Sequence, residues 1–540
     1  MSAGEKEQKK ITRREFVKAA AIGTAGVAAA GVLASCGAEA TPCPTAVPCP
    51  TAAPIPTTVP CPTAAPCPDA WLPEKWDQEA DVVIVGGGGA GIVAAIEAAN
   101  GGASVLVLEK AEVVGGTTSL SGAIIQAAGT EAQKAWGVLG DTPERHYEYW
   151  ITASEGQADP ALVKVLADNA PKNIEWLIEQ GLEYHSLGGV APIPYIDPSL
   201  MVDRIHTPGP AGAQAAVGNG GPNHVQPLYK VAQGKGAKFL LETPATALVR
   251  HPEKGVVGVK AESDGKVIYV KANKAVILAT SSFDHNEEMA RAFSLQQLWA
   301  IQTGLVASAP TDTGDGIKMA MEIGADLAGM GGTIGYPMPA IGSAAAGIWV
   351  NSNGQRFVNE SGHYAFRSRA VFNQVLHVAW AVFDDKARET SAAALGWSAD
   401  LKTEIASGAV KTGETLAKLA EVLGVNATQL EETVAKWNKD VAAGKDTLYA
   451  NAVLGAVSKG PYYAAKVFEW NLGSHGGVKV NTSTQVIDVD GEVIPRLYAG
   501  GMVAGGFVGP YYPGSGTAVA ITVCSGRIAG QNAAKEKAWA

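Results

Sequence analysis

Three glycines, Gly86, Gly88 and Gly91, stand at GxGxxG spacing directly after an apolar run, DVVIV, from Asp81 to Val85. Glycines at this spacing could cradle a pyrophosphate. The first permits a tight turn, the second lets the backbone approach a phosphate, and the third lets a helix pack closely on a strand. A Gly-rich loop alone means little, so the elements around it decide. The DVVIV run reads as a buried strand, and IVAAIEAAN after it reads as a helix. The start of that helix, with Gly89 and Ala90 in the turn, would offer free N–H groups and a positive dipole end. A second strand, SVLVLE, runs from Ser104 to Glu109 and ends on an acid able to accept from a ribose hydroxyl.

The bulk composition agrees with an α/β enzyme rich in tight turns. The chain has 540 residues, too many for a single core, with 47% hydrophobic residues and 64 glycines. A net charge of −10 makes nucleic acid an unsuitable partner. Of six cysteines, five lie at or before Cys67 and only Cys524 lies in the body of the chain. No CxxC or CxxCH occurs, so neither c-type haem nor a zinc or iron–sulfur site is expected. The remaining histidines show no ligand spacing, and no metal is expected.

The N-terminus reads as an address followed by a spacer. Thr12 to Lys18, TRREFVK, has the twin-arginine export pattern, and Leu33-Ala34-Ser35-Cys36 has the form of a lipoprotein cleavage box. Residues 1–36 are therefore expected to be an export signal, with lipid on Cys36 holding an extracytoplasmic protein to a membrane. The alternative is an uncleaved anchor, but Ala19 to Ser35 is short and rich in Ala and Gly. Residues 37–77 form a linker containing the repeat PCPTAV, PCPTAA, PIPTTV, PCPTAA, PCPDAW. Such proline density imposes polyproline II, which spaces successive repeat cysteines by about 19 Å at about 3.1 Å per residue. They cannot pair within one extended linker. A stiff spacer is the simpler reading, and disulfides between two parallel linkers are the other.

Further along, VVIVGGGGAG, LEK at Leu108 to Lys110, and GGTTSLSG from Gly115 to Gly122 resemble the flavoprotein family of soluble fumarate reductases and 3-ketosteroid dehydrogenases. AVILATSSF, TGDGI, GQRFVNE and the closing IPRLYAGGMVAGGFVGPYYPGSGTAVAITVCSGRIAG resemble it as well. The resemblance implies non-covalent FAD, since Thr117 to Gly129 holds no His for covalent attachment. It implies FAD contacts from the first glycine turn, Glu109, Lys110, Gly115, Gly116, Thr117, Thr118, Ser121, Gly122, Ala247, Ala279, Thr280 and Asp315. Gly501, Met502, Gly516, Ala518 and Val519 complete that set. Two departures stand out: Ser281 and Ser282 where the family usually has glycine, and Met502 where many relatives have a Glu on the ribityl chain.

The implied architecture is α/β. A discontinuous Rossmann-like FAD-binding domain, residues 78–299 plus 460–540, would hold an inserted α+β cap, residues 300–459. Within the cap, 412–423 and 427–441 have helical spacing and charged faces. Thr517 to Ala529 reads as a return helix whose N-terminus would, by resemblance, point at the flavin.

The resemblance also narrows the chemistry. Fumarate reductases hold dicarboxylates with Arg and His. Those positions carry Tyr336, Tyr364, Gly473 and Pro513 in this chain, which argues against a dicarboxylate. The 3-ketosteroid dehydrogenases instead have a Tyr after RFVNE, matched by Tyr364, and a YPxxG element, matched by Tyr512 to Gly516. Their roles imply that Tyr364 takes an α proton, and that Tyr512 and the Gly516 N–H hold the carbonyl oxygen. Tyr195 is the nearest match to an assisting tyrosine. A free tyrosine has a pKa of about 10, so Tyr364 needs help, which Arg367, Arg369 or His363 could supply.

The leading expectation is thus dehydrogenation of an apolar, ketosteroid-like or other cyclic ketone next to its carbonyl. The α proton would go to Tyr364, the hydride to FAD, and the electrons to a separate acceptor such as a quinone or cytochrome. Reduction of a conjugated C=C bond is the same chemistry reversed. A non-catalytic flavin relay lipoprotein is the reading from another class.

Overall fold

The structure, a computed structural model, describes residues 72–210, 220–338, 347–389 and 397–539. The export pattern, Cys36 and all but the last few residues of the linker lie outside the described residues. Among the described residues no helix is long and apolar enough to cross a membrane.

The first strand, β1 (Gln78–Val85), is buried from Val82 onward, as its unbroken apolar run requires. Helix α1 (Gly89–Asn100) follows and leads to β2 (Val105–Leu108), which pairs parallel to β1 with Val82 opposite Val105. A short helical turn, Gly116–Leu120, and β3 (Ile125–Gln126) come next. Then α2 (Pro143–Ala153) precedes β4 (Tyr184–Gly188) and β5 (Ile205–Pro208), and β3, β5 and β4 make a small sheet. The main sheet resumes with β6 (Lys238–Leu240), β7 (Ala245–His251), β8 (Gly255–Ser263) and β9 (Lys266–Leu278). Strand β9 pairs parallel to β1 on the side opposite β2.

The chain then leaves that sheet. Helix α3 (Asp315–Glu322) leads into β10 (Leu327–Met338), followed by β11 (Ile348–Asn351), α4 (Tyr364–Phe372), β12 (Ala379–Asp384) and β13 (Val410–Gly413). Helices α5 (Leu416–Leu423) and α6 (Ala427–Ala442) are capped by Thr415 and Asn426. Their charged faces meet solvent, but Leu419, Leu430, Val434 and Trp437 are buried against Ile348, Val382 and Ala464. The long β14 (Tyr462–Lys479) organises a second, mostly antiparallel sheet. Its start pairs with β12 and β13, and its end with β10. The turn of residues expected to divide cap from FAD domain, near 460, thus falls at the mouth of a strand that belongs to the second sheet.

The last segment returns to the first sheet. Strands β15 (Gln485–Ile487) and β16 (Val493–Ala499) extend it, with β16 parallel to β9. The two-residue β17 (Ala504–Gly505) pairs with the end of β14. Helix α7 (Thr517–Lys535) closes the fold against α1. Small residues make that contact possible. A Cβ on Gly526 or Gly530 would lie 2.8 Å from the Ala90 carbonyl oxygen or 2.4 Å from that of Ala94. Arg527 pins the pair through Glu97 at 2.7 Å and stacks on Trp176. Cys524 is buried on the side of α7 that faces Val165 of the Pro160–Glu179 helix, its thiol pushed up to about 12 by burial.

Candidate active site

Two places bear on chemistry, a groove fitted to a dinucleotide and a buried cluster of tyrosines beside it. The first opens at the C-terminal ends of β1 and β2, where open α/β sheets bind ligands. Gly86 has φ +104°, and a Cβ there would lie 2.3 Å from the Ala279 carbonyl oxygen. A Cβ on Gly91 would lie 1.9 Å from the Gly86 carbonyl oxygen, so the third glycine is what lets α1 seat on β1. Gly88 differs: a Cβ there meets only the Gly115 carbonyl oxygen, at 3.9 Å, and so faces the groove. No side chain caps the start of α1, and no acid lies in its first turn. That bare N-terminus over an open glycine fits an anionic pyrophosphate.

Most of the expected contacts line this groove. They are Gly86, Gly88 to Ala90, Glu109, Lys110, Gly116 to Thr118, Ser121, Ala279, Thr280, Asp315, Gly501, Met502, Ala518 and Val519. Glu109 is buried, and its two oxygens accept from the N–H groups of Gly87 and Ala111, each at 2.7 Å. Lys110 donates to Asp315 and Thr313, each at 2.7 Å, which ties β2 to α3. Met502 presents a thioether where a carboxylate was the family habit.

Other expected contacts do not line the groove. Gly115 shapes it from behind, with φ +115° and its N–H donating to the Gly87 carbonyl at 2.8 Å. Gly91 is likewise structural. Gly122 packs under Gly220, whose Cβ would meet its carbonyl oxygen at 1.8 Å. Ala247 stands along β7 away from the groove, and Ala245 lines it instead. Gly516, at φ +92°, caps α7, and its carbonyl accepts from the Gln126 N–H at 3.3 Å.

Sequence reading missed Asp312, one residue before TGDGI. It is buried in the groove wall and accepts from Thr117 Oγ1 at 2.6 Å and Ser281 Oγ at 2.8 Å. This accounts for one of the departures noted above. Ser281 holds φ +62°, a backbone region that favours glycine, and its hydroxyl is anchored there by Asp312. Ser282 meets Ser474 Oγ at 2.9 Å, and Ser474 donates to Asp284 at 2.6 Å. Burial, reinforced by the nearby Asp284 charge, raises Asp312 to about 7. The folded chain therefore keeps a proton that the unfolded chain sheds near pH 4. Stability of the FAD-free protein should fall as pH rises between those values and level off above them. In Asp312→Asn the loss of Tm between about pH 5 and pH 8 should shrink. An unchanged slope would show that Asp312 does not titrate there.

The second site lies where α4, β10 and the start of α7 converge. Tyr364, Tyr512, Ile334, Ala365, Leu472 and Ala518 pack together. The GQRFVNE segment positions Tyr364. Arg356 is buried between the rings of Trp437 and Tyr449 and binds Glu360 and Asp446 with two contacts each. That network fixes the loop, and the His363 ring then caps α4 by accepting from the Ala365 N–H at 3.3 Å. The Tyr364 hydroxyl accepts from Ser515 Oγ at 3.3 Å. The Tyr512 hydroxyl accepts from the Ala518 N–H at 2.7 Å, which leaves its own proton to donate.

The tyrosine set differs from expectation. Tyr195 is 41% exposed, donates to the Ala153 carbonyl at 3.3 Å and rests on Phe366. It does not join Tyr364 and Tyr512. The third ring is Tyr336, 5.1 Å from Tyr364, at a position read from the sequence only as a missing histidine. Tyr149, from α2, donates to the Pro513 carbonyl at 2.5 Å and supports the turn that carries Tyr512.

The expected cationic help is also different. His363 stacks on Tyr364 at 4.4 Å, but burial and then the Arg367 charge hold it down to about 3, so it is neutral. Arg367 lies over Trp349 and Arg369 over Tyr511. Burial raises Tyr364 well above its ordinary value, and the nearby Tyr512 adds to this. Tyr512 is raised by burial too. Both phenols are held protonated.

Residues 81–519 match the model of a family described as FAD binding domain. The chain belongs to that family. It is 32% identical over 466 residues to a fumarate reductase (cytochrome) of Shewanella frigidimarina, covering 84% of this chain and 77% of that protein. A urocanate reductase of Eggerthella lenta is 33% identical over 486 residues, 86% of this chain and 76% of that one. Among solved structures, a 3-ketosteroid-Δ4-(5α)-dehydrogenase of Rhodococcus jostii RHA1 with bound 4-androstene-3,17-dione superposes with a TM-score of 0.76. It is 30% identical and the match covers 86% of this chain and 99% of that one. The groove is thus an FAD site, and the chain is an FAD-dependent oxidoreductase of the fumarate reductase family acting on C=C bonds. Because Thr117 to Gly129 holds no histidine, acid precipitation should release all the flavin. Yellow colour left in the pellet would contradict non-covalent binding.

Proposed function

We propose that this oxidoreductase interconverts a cyclic ketone, ketosteroid-like in outline, and its α,β-unsaturated form. One observation carries the reading. Tyr364 and Tyr512 meet in a buried cluster next to the FAD groove, while the four positions that would grip a dicarboxylate are Tyr336, Tyr364, Gly473 and Pro513. The ketosteroid dehydrogenase among the structural neighbours supports a ketone substrate, and the reductases among the relatives support chemistry at a C=C bond.

Tyr512 holds the carbonyl oxygen. Its hydroxyl already accepts from the Ala518 N–H, so its own proton is left to donate to that oxygen. Donation there polarises the carbonyl and stabilises enolate charge. Tyr364 carries the proton of the α carbon. Bound FAD supplies the hydride chemistry at the β carbon. The apolar wall of Ile334, Leu472 and Ala518 excludes water from the exchange.

The protonation state favours one direction. Burial keeps the Tyr364 hydroxyl protonated, so at rest it carries the proton that the α carbon needs in reduction and has no vacancy to accept one. The resting chain is therefore set to reduce a conjugated C=C bond. Dehydrogenation runs when an oxidising partner, a quinone or cytochrome, draws electrons away. The test is anaerobic. The photoreduced holoenzyme should be reoxidised by 4-androstene-3,17-dione or cyclohex-2-enone and left reduced by fumarate. Faster reoxidation by fumarate would sink the assignment.

A further inference from the structure

The FAD groove receives an anion, and one buried acid in its wall has no cation to pair with. Asp312 lines the groove and is 4% exposed. Its Oδ2 accepts from Thr117 Oγ1 at 2.6 Å and from Ser281 Oγ at 2.8 Å. Thr117 Oγ1 itself accepts from the Ala309 N–H at 2.7 Å, so its own proton is committed to Asp312. Among the described residues nothing donates to the other oxygen, Oδ1, which is therefore left for what fills the groove. Asp312 also lies beside the phosphate seat. Thr117 follows Gly116, whose Cβ would lie 3.8 Å from the Cα of Gly88, the glycine that lets a pyrophosphate approach.

The charges around Asp312 give it no relief. The other ionisable residues lining the groove are Glu109, Lys110 and Asp315. Lys110 is the one cation among them, and it pairs with Asp315 at 2.7 Å. Glu109 is occupied by the N–H groups of Gly87 and Ala111. Close to Asp312, Asp284 is a further buried acid, which accepts from the N–H and hydroxyl of Ser474. His285 gives its backbone N–H to the Asp312 carbonyl and sets its ring against Ser308. Burial and the Asp284 charge already raise the Asp312 carboxyl to about 7. Bound FAD adds the negative charge of its pyrophosphate, and a like charge further disfavours an ionised carboxylate.

We propose that Asp312 meets FAD as a neutral acid, so that cofactor binding takes up one proton from solvent at this carboxyl. By linkage the reverse also holds: protonation of Asp312 tightens FAD, and its ionisation loosens it. The tight form is present below about pH 7 and is lost as pH rises above that value. The coupling concerns the cofactor and holds whatever the substrate.

The test uses the holoenzyme. Serial dilution releases FAD, whose fluorescence returns on release, and yields a dissociation constant at each pH. From about pH 6.5 to about pH 8.5 the parent's constant should rise about 20-fold, as for one carboxyl that ionises near pH 7 without FAD and keeps its proton with FAD bound. Asp312→Asn copies the shape of the neutral acid. Its amide oxygen can still accept from Thr117 and Ser281, and its NH2 replaces the O–H of the acid. This variant should match the parent at the acid end of the range and stay level to the alkaline end. A parent whose constant is level across the range overturns the proposal, and that measurement needs no variant to fold. A rise of the parent's size in Asp312→Asn overturns it as well, because another group then takes up the proton.

Discussion

Tyr364→Phe should slow hydride exchange between enzyme and ketone by about 10² or more, the usual scale for a lost acid–base group, with binding close to the parent's. The substitution keeps the ring, and the ring is what packs against Tyr336, His363 and Ala365. Only the hydroxyl is lost, together with one contact at 3.3 Å from Ser515. Tyr512→Phe should behave differently. Its hydroxyl serves the carbonyl oxygen in both ground and transition states, so rate and affinity should fall together. It also strands the Ala518 N–H, which Tyr512 accepts at 2.7 Å. The two variants should therefore share a slow rate and diverge in affinity. Single-turnover oxidation of the reduced holoenzyme by a saturating enone separates them. A Tyr364→Phe enzyme as fast as the parent would remove Tyr364 from the proton path, and with it the ketosteroid-type reading of this cluster.

What the sequence made legible was set by the range of the interactions. The glycine turn could be read because its demands are local: Gly86 needs positive φ and Gly91 needs a bare Cα. Helices α5 and α6 were readable by period and cap, yet their spacing could not say that Leu419 and Trp437 would seat on the second sheet. RFVNE was recognisable as a motif. Its physical reason, Arg356 joining Glu360 to Asp446 across 90 residues, is a tertiary fact. Asp312 escaped notice for the same reason, since Thr117 and Ser281 are far away in sequence. Ser281 and Ser282 could be flagged as departures, but their compensation by Asp312 and Ser474 is visible only in space. Chain position alone puts Tyr195 nearest to an assisting tyrosine, whereas antiparallel pairing of β10 with β14 brings Tyr336 to the cluster. Arg367 reads as a charge near Tyr364, but its burial over the Trp349 ring is a tertiary fact that no spacing reveals.

The glycine turn offers a last test, because its glycines should fail in different ways. Gly91→Ala places a methyl 1.9 Å from the Gly86 carbonyl oxygen, which is backbone and cannot swing aside. Helix α1 must lift off β1. The cost should be about 3 kcal/mol or more, the upper range for overpacking, and the displaced turn should no longer hold FAD. Gly88→Ala adds the same methyl where the protein itself offers no contact closer than 3.9 Å. The FAD-free fold should therefore melt near the parent. The methyl instead occupies the space where the backbone must approach the pyrophosphate, so FAD affinity should drop by about 10- to 100-fold, the scale of one misplaced methyl group. Tm of the FAD-free proteins and FAD titration together resolve the two. If Gly88→Ala binds FAD like the parent, the phosphates do not pass over Gly88. If Gly91→Ala melts like the parent, the close seat of α1 on β1 is not what the third glycine provides. The expected pattern, fold and ligand lost together in one variant and ligand alone in the other, follows from which side of each Cα is already filled by protein.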